Sequence, residues 1–128
     1  QIELSLDAPD TLPARLDQPA FESIAHNLID NALRYTPHGG NVAVALRREG
    51  ATLQLSVQDD GPGIPATEHH RVFERFYRGA GHAANGSGLG LAIVRQAVLR
   101  MGGQVQIGVG LNGKGVGFFV SIPLPHSA

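Results

Sequence analysis

The chain has 128 residues, 42% of them hydrophobic, and a formal net charge of −1 from 10 basic and 11 acidic side chains. This length is enough to bury one hydrophobic core, and the near-neutral charge gives no electrostatic basis for binding nucleic acid or a membrane surface. The absence of cysteine excludes disulfide scaffolds and thiolate metal sites. No apolar run approaches the roughly 20 residues of a membrane-spanning helix. We therefore expect residues 1–128 to form a single domain, and the start at Gln1 indicates a fragment of a longer protein.

The N-terminal half shows one helical and three strand-like patterns. Residues 2–6 alternate apolar and polar side chains, as expected for a half-buried strand. From Gln18 to Tyr35 apolar residues recur at helical spacing, and Pro37 with the following glycines ends the helix. Two alternating segments around Glu49-Gly50 then predict a hairpin. Their apolar positions are Val42, Val44, Leu46, Leu53, Leu55 and Val57.

The C-terminal half begins with an irregular, glycine-rich stretch from Asp59 to Gly90, and such a long loop is usually functional or disordered. A second helix is predicted from Leu89 to Met101. Its predicted core side consists of Leu89, Ile93, Val94, Ala97, Val98 and Met101. Two strands, at 105–109 and 116–122, close the chain. This order predicts an α+β fold, a two-layer α/β sandwich in which about three helices cover one face of a mixed, mostly antiparallel sheet.

Three polar residues, Asn27, Asn31 and Arg34, share one edge of the first helix. Asparagine is a poor helix former because its side chain competes for backbone hydrogen bonds. Two asparagines one turn apart beside the apolar face therefore need polar partners. A bound ion or phosphate group would supply them; alternatively, both amides bond to neighbouring loops.

Asp59 continues the inward parity of the preceding strand, whereas Asp60 has the opposite parity. A buried carboxylate requires hydrogen-bond donors, and the following Gly61-Pro62-Gly63-Ile64 turn would let a ligand approach the backbone closely. The amino group of an adenine is a suitable donor to Asp59. The alternative is an aspartate that only begins a turn. Because Asp60 is expected to be solvated, we do not interpret the two carboxylates as an acid/base pair.

A second glycine loop, Gly86-Ser87-Gly88-Leu89-Gly90-Leu91, leads directly into the second helix. The free N–H groups and the positive dipole end of such a helix start favour an anion. The segment is neither a P-loop nor the dinucleotide-binding G-x-G-x-x-G pattern. By itself it is also compatible with a mobile loop.

Taken together and in order, these segments resemble the four boxes of the catalytic domains of bacterial sensor histidine kinases. Asn27–Pro37 resembles the N box, Asp59–Pro65 the G1 box, Phe73–Arg78 the F box and Gly86–Leu91 the G2 box. The wider ATPase group that includes gyrase B, HSP90 and MutL has counterparts of the asparagine helix and the glycine loops but no such F box. The resemblance covers essentially the whole chain.

The resemblance implies binding of ATP with Mg²⁺. Asn27 and Asn31 would hold the metal, Arg34 would neutralise phosphate, Tyr35 would pack on the nucleotide, and Asp59 would bind the adenine amino group. The other nucleotide contacts implied by the boxes are Gly61, Gly63, Ile64, Phe76, Tyr77, Arg78, Gly86, Ser87, Gly88, Leu89, Gly90 and Leu91.

The resemblance also implies how the chemistry proceeds. Asn27 occupies the place of a general-base glutamate in the hydrolytic relatives, and because an amide cannot take a proton from water, transfer to a protein is favoured over hydrolysis. Arg78 would reach the terminal phosphate and stabilise developing charge. Residues from about 64 to 87 would form a flexible lid over ATP.

The resemblance also implies partners for this chain. None of its six histidines lies in a phosphoacceptor context, so the acceptor histidine is expected on a helical hairpin upstream of Gln1. A cognate response regulator would act indirectly, and this fragment would contact neither nucleic acid nor membrane. We expect a monomeric fragment, a homodimeric parent, and a cytoplasmic domain of a protein anchored in the bacterial inner membrane.

Two alternatives to a kinase remain open at this point. The first is a nucleotide-gated interaction module with little catalysis, suggested by the lack of an acid or base at Asn27. The second is a hydrolytic ATPase of the gyrase type, which Asn27 and the F box disfavour.

Overall fold

The computed structural model contains five strands and two α-helices within the residues that it describes, which are 3–7, 17–36, 39–64, 67, 69, 72–73 and 90–124. In chain order the elements are β1 (Glu3–Asp7), α1 (Gln18–Tyr35), β2 (Asn41–Glu49), β3 (Thr52–Asp59), α2 (Gly90–Arg100), β4 (Gln104–Val109) and β5 (Val116–Pro123). A short 3-10 turn, Leu111–Gly113, precedes β5. The lid predicted over residues 64–87 lies almost entirely outside the described residues.

The strands form one mixed sheet in the order β1-β2-β3-β5-β4. β1 pairs with β2 in parallel, and the other three pairings are antiparallel. The β2–β3 register places Val42 opposite Asp59, so the closed end of the hairpin is at Glu49 and its open end is beside the first glycine loop. This sheet confirms the predicted mixed, mostly antiparallel arrangement.

Helix α1 spans the residues that its periodicity predicts. The Asp17 side chain caps it by accepting a hydrogen bond from the Ala20 N–H (3.2 Å), and Pro19 occupies the first turn, where its missing N–H costs no helical hydrogen bond. At the other end, Thr36 is extended, as expected for a residue that precedes a proline.

The core lies between one face of the sheet and the two helices. Ile24 and Leu28 of α1, Val94 and Val98 of α2, and Phe118 of β5 are at most 2% exposed. Alternate residues of β2, β3 and β5 are buried on the same side. The opposite face carries glutamine and serine side chains around Phe119, which is 37% exposed. The described helices therefore cover one face, as the sequence predicts.

One predicted core residue of the second helix is wrong. Ile93 is 44% exposed, whereas the adjacent Val94 is completely buried. Successive residues of an α-helix are about 100° apart, so Ile93 and Val94 cannot both point at the centre of the core. Val94 and Val98, with Leu91, Ala97 and Met101 partly buried beside them, form the inward side. Leu89 lies outside the described residues.

Candidate functional site

The predicted polar edge of α1 is present, with Asn27 and Asn31 both half-buried. The Asn27 Nδ2 group donates to the Ser23 carbonyl oxygen at 2.8 Å and contacts Ser23 Oγ at 3.4 Å. Because these bonds occupy the nitrogen, they hold the amide with its oxygen, Oδ1, available as an acceptor. Oxygen ligands of this kind suit Mg²⁺, so the Asn27 amide fits the metal that the sequence implies.

Asn27 lies against the start of α2. A Cβ atom at Gly90 would be 3.3 Å from Asn27 Oδ1, closer than side chains usually approach. Gly90 is the first residue of α2, where unpaired N–H groups and the helix dipole favour an anion. The fold thus brings the asparagine helix and the end of the second glycine loop together, although 63 positions separate Asn27 from Gly90 along the chain.

Arg34, on the same helix edge, is paired with Asp30. Its Nε atom is 3.0 Å from Asp30 Oδ2, and the side chains of Arg34 and Asp30 are 40% and 46% exposed. An exposed ion pair four residues apart on a helix contributes only about 0.3–0.5 kcal/mol. The guanidinium can therefore exchange Asp30 for another anion at little cost in stability.

The Asp59 carboxylate points inward, as its parity predicts, and the residue is 3% exposed. Its Oδ1 atom accepts hydrogen bonds from the N–H groups of Gly61 (2.9 Å) and Val116 (3.2 Å). Burial raises the pKa of Asp59 and the negative charge of Asp60 raises it further, while the two N–H donors act in the opposite direction. The other oxygen, Oδ2, receives no hydrogen bond from the described part of the chain.

A third glycine-rich loop, residues 110–115, lies against Asp59, and its sequence alone predicts no function for it. A Cβ at Gly110 or at Gly115 would collide with the Asp59 backbone, and one at Gly115 would also strike the carboxylate. Gly63 of the first glycine loop (φ +80°) lies across from it, with its Cβ position 3.0 Å from the Gly115 carbonyl oxygen. The available signal was the spacing Gly110, Gly113, Gly115 immediately before a strand.

Asp60 points away from Asp59 and binds Asn41. Its Oδ1 accepts from the Asn41 backbone N–H (2.7 Å) and its Oδ2 from Asn41 Nδ2 (2.8 Å). These two bonds lower the pKa of Asp60, and the charge of Lys114 lowers it further. The two neighbouring carboxylates thus have separate partners and opposite pKa shifts.

The other predicted site residues divide into two groups. Ile64 and Leu91 are partly buried and packed against the core, and the Ile64 carbonyl oxygen lies 2.8 Å from His69 Nε2. His26 is exposed on α1. Outside the described residues lie the side chain of Tyr35 and all of Phe76, Tyr77, Arg78, Gly86, Ser87, Gly88 and Leu89.

Within the described residues, no helix is long and apolar enough to span a membrane. Nor, in the same part of the chain, do three or more His, Cys, Asp or Glu side chains come together around a possible metal position.

Several known proteins are similar to this chain in sequence. The family described as histidine kinase-, DNA gyrase B-, and HSP90-like ATPase matches residues 16–126. The swarming motility regulation sensor protein RssA of Serratia marcescens is 38% identical over 123 residues, which are 95% of this chain and 26% of RssA. The histidine-protein kinase/phosphatase MprB of Mycobacterium bovis is 50% identical over 93 residues, 71% of this chain and 18% of MprB. The chain thus spans about a quarter or less of these relatives.

Solved structures share the fold. Mycobacterial sensor histidine kinase MprB matches with a TM-score of 0.84 and 35% identity, covering 98% of this chain and 86% of that one. The nucleotide-free catalytic domain of histidine kinase ThkA matches with a TM-score of 0.81 and 26% identity, and the match covers 95% of this chain and 78% of that one. Full-length ShkA in complex with AMPPNP matches with a TM-score of 0.80 and 32% identity, and the match covers 99% of this chain and 26% of ShkA. These matches confirm the predicted α+β fold of histidine kinase catalytic domains.

Proposed function

Because the chain belongs to the histidine kinase-, DNA gyrase B- and HSP90-like ATPase family, we propose that it is the catalytic domain of a protein histidine kinase. The general role, that of an ATP-binding domain of a sensor kinase, follows from the family and from relatives such as RssA and MprB. The finer proposal is that it binds Mg-ATP and transfers the γ-phosphoryl group to a histidine of a phosphoacceptor domain in two-component signalling.

The observation that carries this proposal is the orientation of the Asn27 amide beside Gly90. Its nitrogen is bonded to Ser23 and its oxygen faces the start of α2. An oxygen so placed, together with Asn31 Oδ1, would hold Mg²⁺, which would supply positive charge to neutralise the triphosphate. The N–H groups of Gly90 and Leu91 would bind phosphate oxygens.

The adenine would lie at the other end of the site. Asp59 Oδ2 would accept a hydrogen bond from the adenine amino group, while Gly61 and Val116 keep the carboxylate oriented. Gly61, Gly63 and Ile64 would lie along the base. ShkA, which this chain resembles, was solved in complex with AMPPNP, and this supports the proposal that the ligand is ATP.

The transfer step needs little covalent chemistry from this chain. A nitrogen of the acceptor imidazole attacks the γ-phosphorus, the N–P bond forms, and the bond to the bridging oxygen breaks so that ADP leaves with the electron pair. Arg78 would stabilise the charge on the transferred group. The pocket would be completed by Arg34, Tyr35, Phe76, Tyr77, Gly86, Ser87, Gly88 and Leu89. An amide at Asn27 cannot activate water, so hydrolysis is not assisted.

The parent protein would supply the remaining parts. The acceptor histidine would lie on a helical hairpin of the same protein, which would also form the homodimer, and a response regulator would receive the phosphoryl group afterwards. The described chain would be a cytoplasmic part of a parent anchored in the inner membrane.

The test is to mix this chain with the acceptor hairpin of its own parent and γ-labelled ATP. Acid-labile label on the hairpin histidine is expected, and Asn31→Ala should abolish it. Nucleotide binding without any phosphohistidine would instead support the nucleotide-gated interaction module. Steady-state release of phosphate by this chain alone would support a hydrolytic ATPase.

A further inference from the structure

We propose that Asn41 and Asp60 form a clasp that positions Asp59 and thereby sets the preference of the site for adenine. Both are positioning residues, because neither would touch the nucleotide. The inference rests on the proposed function, in which Asp59 accepts a hydrogen bond from the adenine amino group.

The clasp takes the place of one rung of the β2–β3 ladder. The regular register ends with Val42 opposite Asp59. At the next position the Asp60 N–H still donates to the Asn41 carbonyl oxygen at 3.2 Å. The return bond, however, runs from the Asn41 N–H to the Asp60 carboxylate (2.7 Å) and not to the Asp60 carbonyl.

This exchange of a backbone acceptor for the Asp60 carboxylate determines the direction of the backbone after Asp60. Because the carboxylate satisfies the Asn41 N–H, the Asp60 carbonyl is released from the ladder, and the backbone can turn away from the sheet directly after Asp60. The first group of that turn is the Gly61 N–H, which donates to Asp59 Oδ1 at 2.9 Å. The clasp thus fixes the direction of one of the two donors that orient the buried carboxylate.

The second side-chain bond makes the arrangement specific for this pair. Asn41 Nδ2 donates to Asp60 Oδ2 at 2.8 Å, so the carboxylate is held at both oxygens. An aspartate is ionised at physiological pH, and the two hydrogen bonds from Asn41 lower the pKa of Asp60 below its ordinary value. Asn41 also begins β2 directly after the Gly39-Gly40 connection from α1, so the clasp joins that connection to the first glycine loop.

Exchange of the two side chains provides the test. Asn41→Asp alone sets two carboxylates against each other and should open the clasp. In the double variant Asn41→Asp with Asp60→Asn, the asparagine at 60 can accept from the backbone N–H and donate to the aspartate at 41, so the pairing is restored. Gln54→Glu, an exposed change at the other end of β3, adds the same charge without touching the clasp.

The readout is the ratio of the dissociation constants for Mg-ATP and Mg-ITP, measured by calorimetry, with thermal unfolding to check each fold. ITP carries a carbonyl where ATP carries the amino group. The Asn41→Asp variant should lose roughly ten- to hundredfold of the preference for ATP, the range expected for a lost hydrogen bond to a charged group. The double variant and Gln54→Glu should retain it.

Three results would overturn the inference. One is an unchanged ATP-to-ITP ratio in folded Asn41→Asp, and another is equal weakening of both nucleotides, which would indicate a merely structural role. The third is a double variant that folds but does not recover the ratio. If the unaltered chain itself shows no preference for ATP and Asp59→Asn changes nothing, the adenine contact of the proposed function fails as well.

Discussion

The N–H of Val116 donates to Oδ1 of Asp59 across 3.2 Å, which joins the start of β5 to the end of β3 inside the core. Together with the Gly61 N–H it satisfies one carboxylate oxygen and leaves Oδ2 as the acceptor on which the proposed adenine contact depends. In the proposed function, the first glycine loop and residues 110–115 would therefore form the pocket for the base. This geometry and that of Asn27 lead to five predictions, each with its own measurement.

Asp59→Asn should reverse the base preference. The asparagine oxygen would remain with the Gly61 and Val116 donors, so its Nδ2 group would face the base. An amide nitrogen cannot accept from the adenine amino group but can donate to the carbonyl of inosine. Calorimetry should show weaker binding of Mg-ATP and tighter binding of Mg-ITP; an unchanged affinity for both would contradict the adenine contact.

Affinity for ATP should depend on pH through Asp59. The ionised carboxylate is the better acceptor, and burial raises its pKa above the ordinary value of 3.8, so binding should weaken as the pH falls through this raised pKa. In Asp59→Asn this pH step should disappear. A step of equal size in that variant would assign the titration to another group.

The raised pKa of Asp59 should make the unliganded fold less stable as the pH rises, whereas the rising pH should make ATP binding stronger. Because the folded pKa is raised, the stability that Asp59 contributes is fully present below the unfolded pKa and is lost as the pH rises through the folded pKa. Asp59→Asn should therefore raise the melting temperature of the nucleotide-free protein at neutral pH. Denaturation curves at several pH values would measure this, and a lower melting temperature would contradict it.

Gly115→Ala should weaken ATP binding beyond any effect of placing an alanine at a positive φ. Gly113→Ala is a matched control, because the two glycines have similar positive φ values (+70° and +77°) but only a Cβ at Gly115 meets Asp59. Both variants carry the roughly 1–2 kcal/mol cost of a left-handed alanine. Only Gly115→Ala should also lose affinity for ATP. Equal losses of affinity would contradict the contact.

Gly90→Ala should weaken the metal-dependent part of nucleotide binding. The added methyl would press on Asn27 Oδ1, which cannot move aside freely because Nδ2 is bonded to Ser23. Alanine favours a helix over glycine, so the fold should not be weakened. Titration of ATP affinity against Mg²⁺ concentration should show a reduced dependence, with ATP binding in EDTA unchanged. An unaltered Mg²⁺ dependence would separate Asn27 from the metal.

Local patterns in the sequence are sufficient to predict the described helices and strands. The periodicity of Gln18–Tyr35 gives α1 to the residue, and the inward parity of Asp59 follows from strand alternation alone. Ile93 was assigned wrongly because a run of adjacent apolar residues does not indicate which of them faces the core. The third glycine loop could not be assigned, because its role depends on a contact between Asp59 and Val116, 57 residues apart. The Asn41–Asp60 clasp is likewise created only by the pairing of β2 with β3.

The most direct measurement of the proposed function is phosphohistidine formation on the separately supplied acceptor hairpin of the parent protein. With Mg²⁺ and γ-labelled ATP, this chain should transfer acid-labile label to one hairpin histidine, and Asn31→Ala should transfer none while remaining folded. Absence of phosphohistidine despite measured binding of Mg-ATP, or equal transfer by Asn31→Ala, would contradict the account.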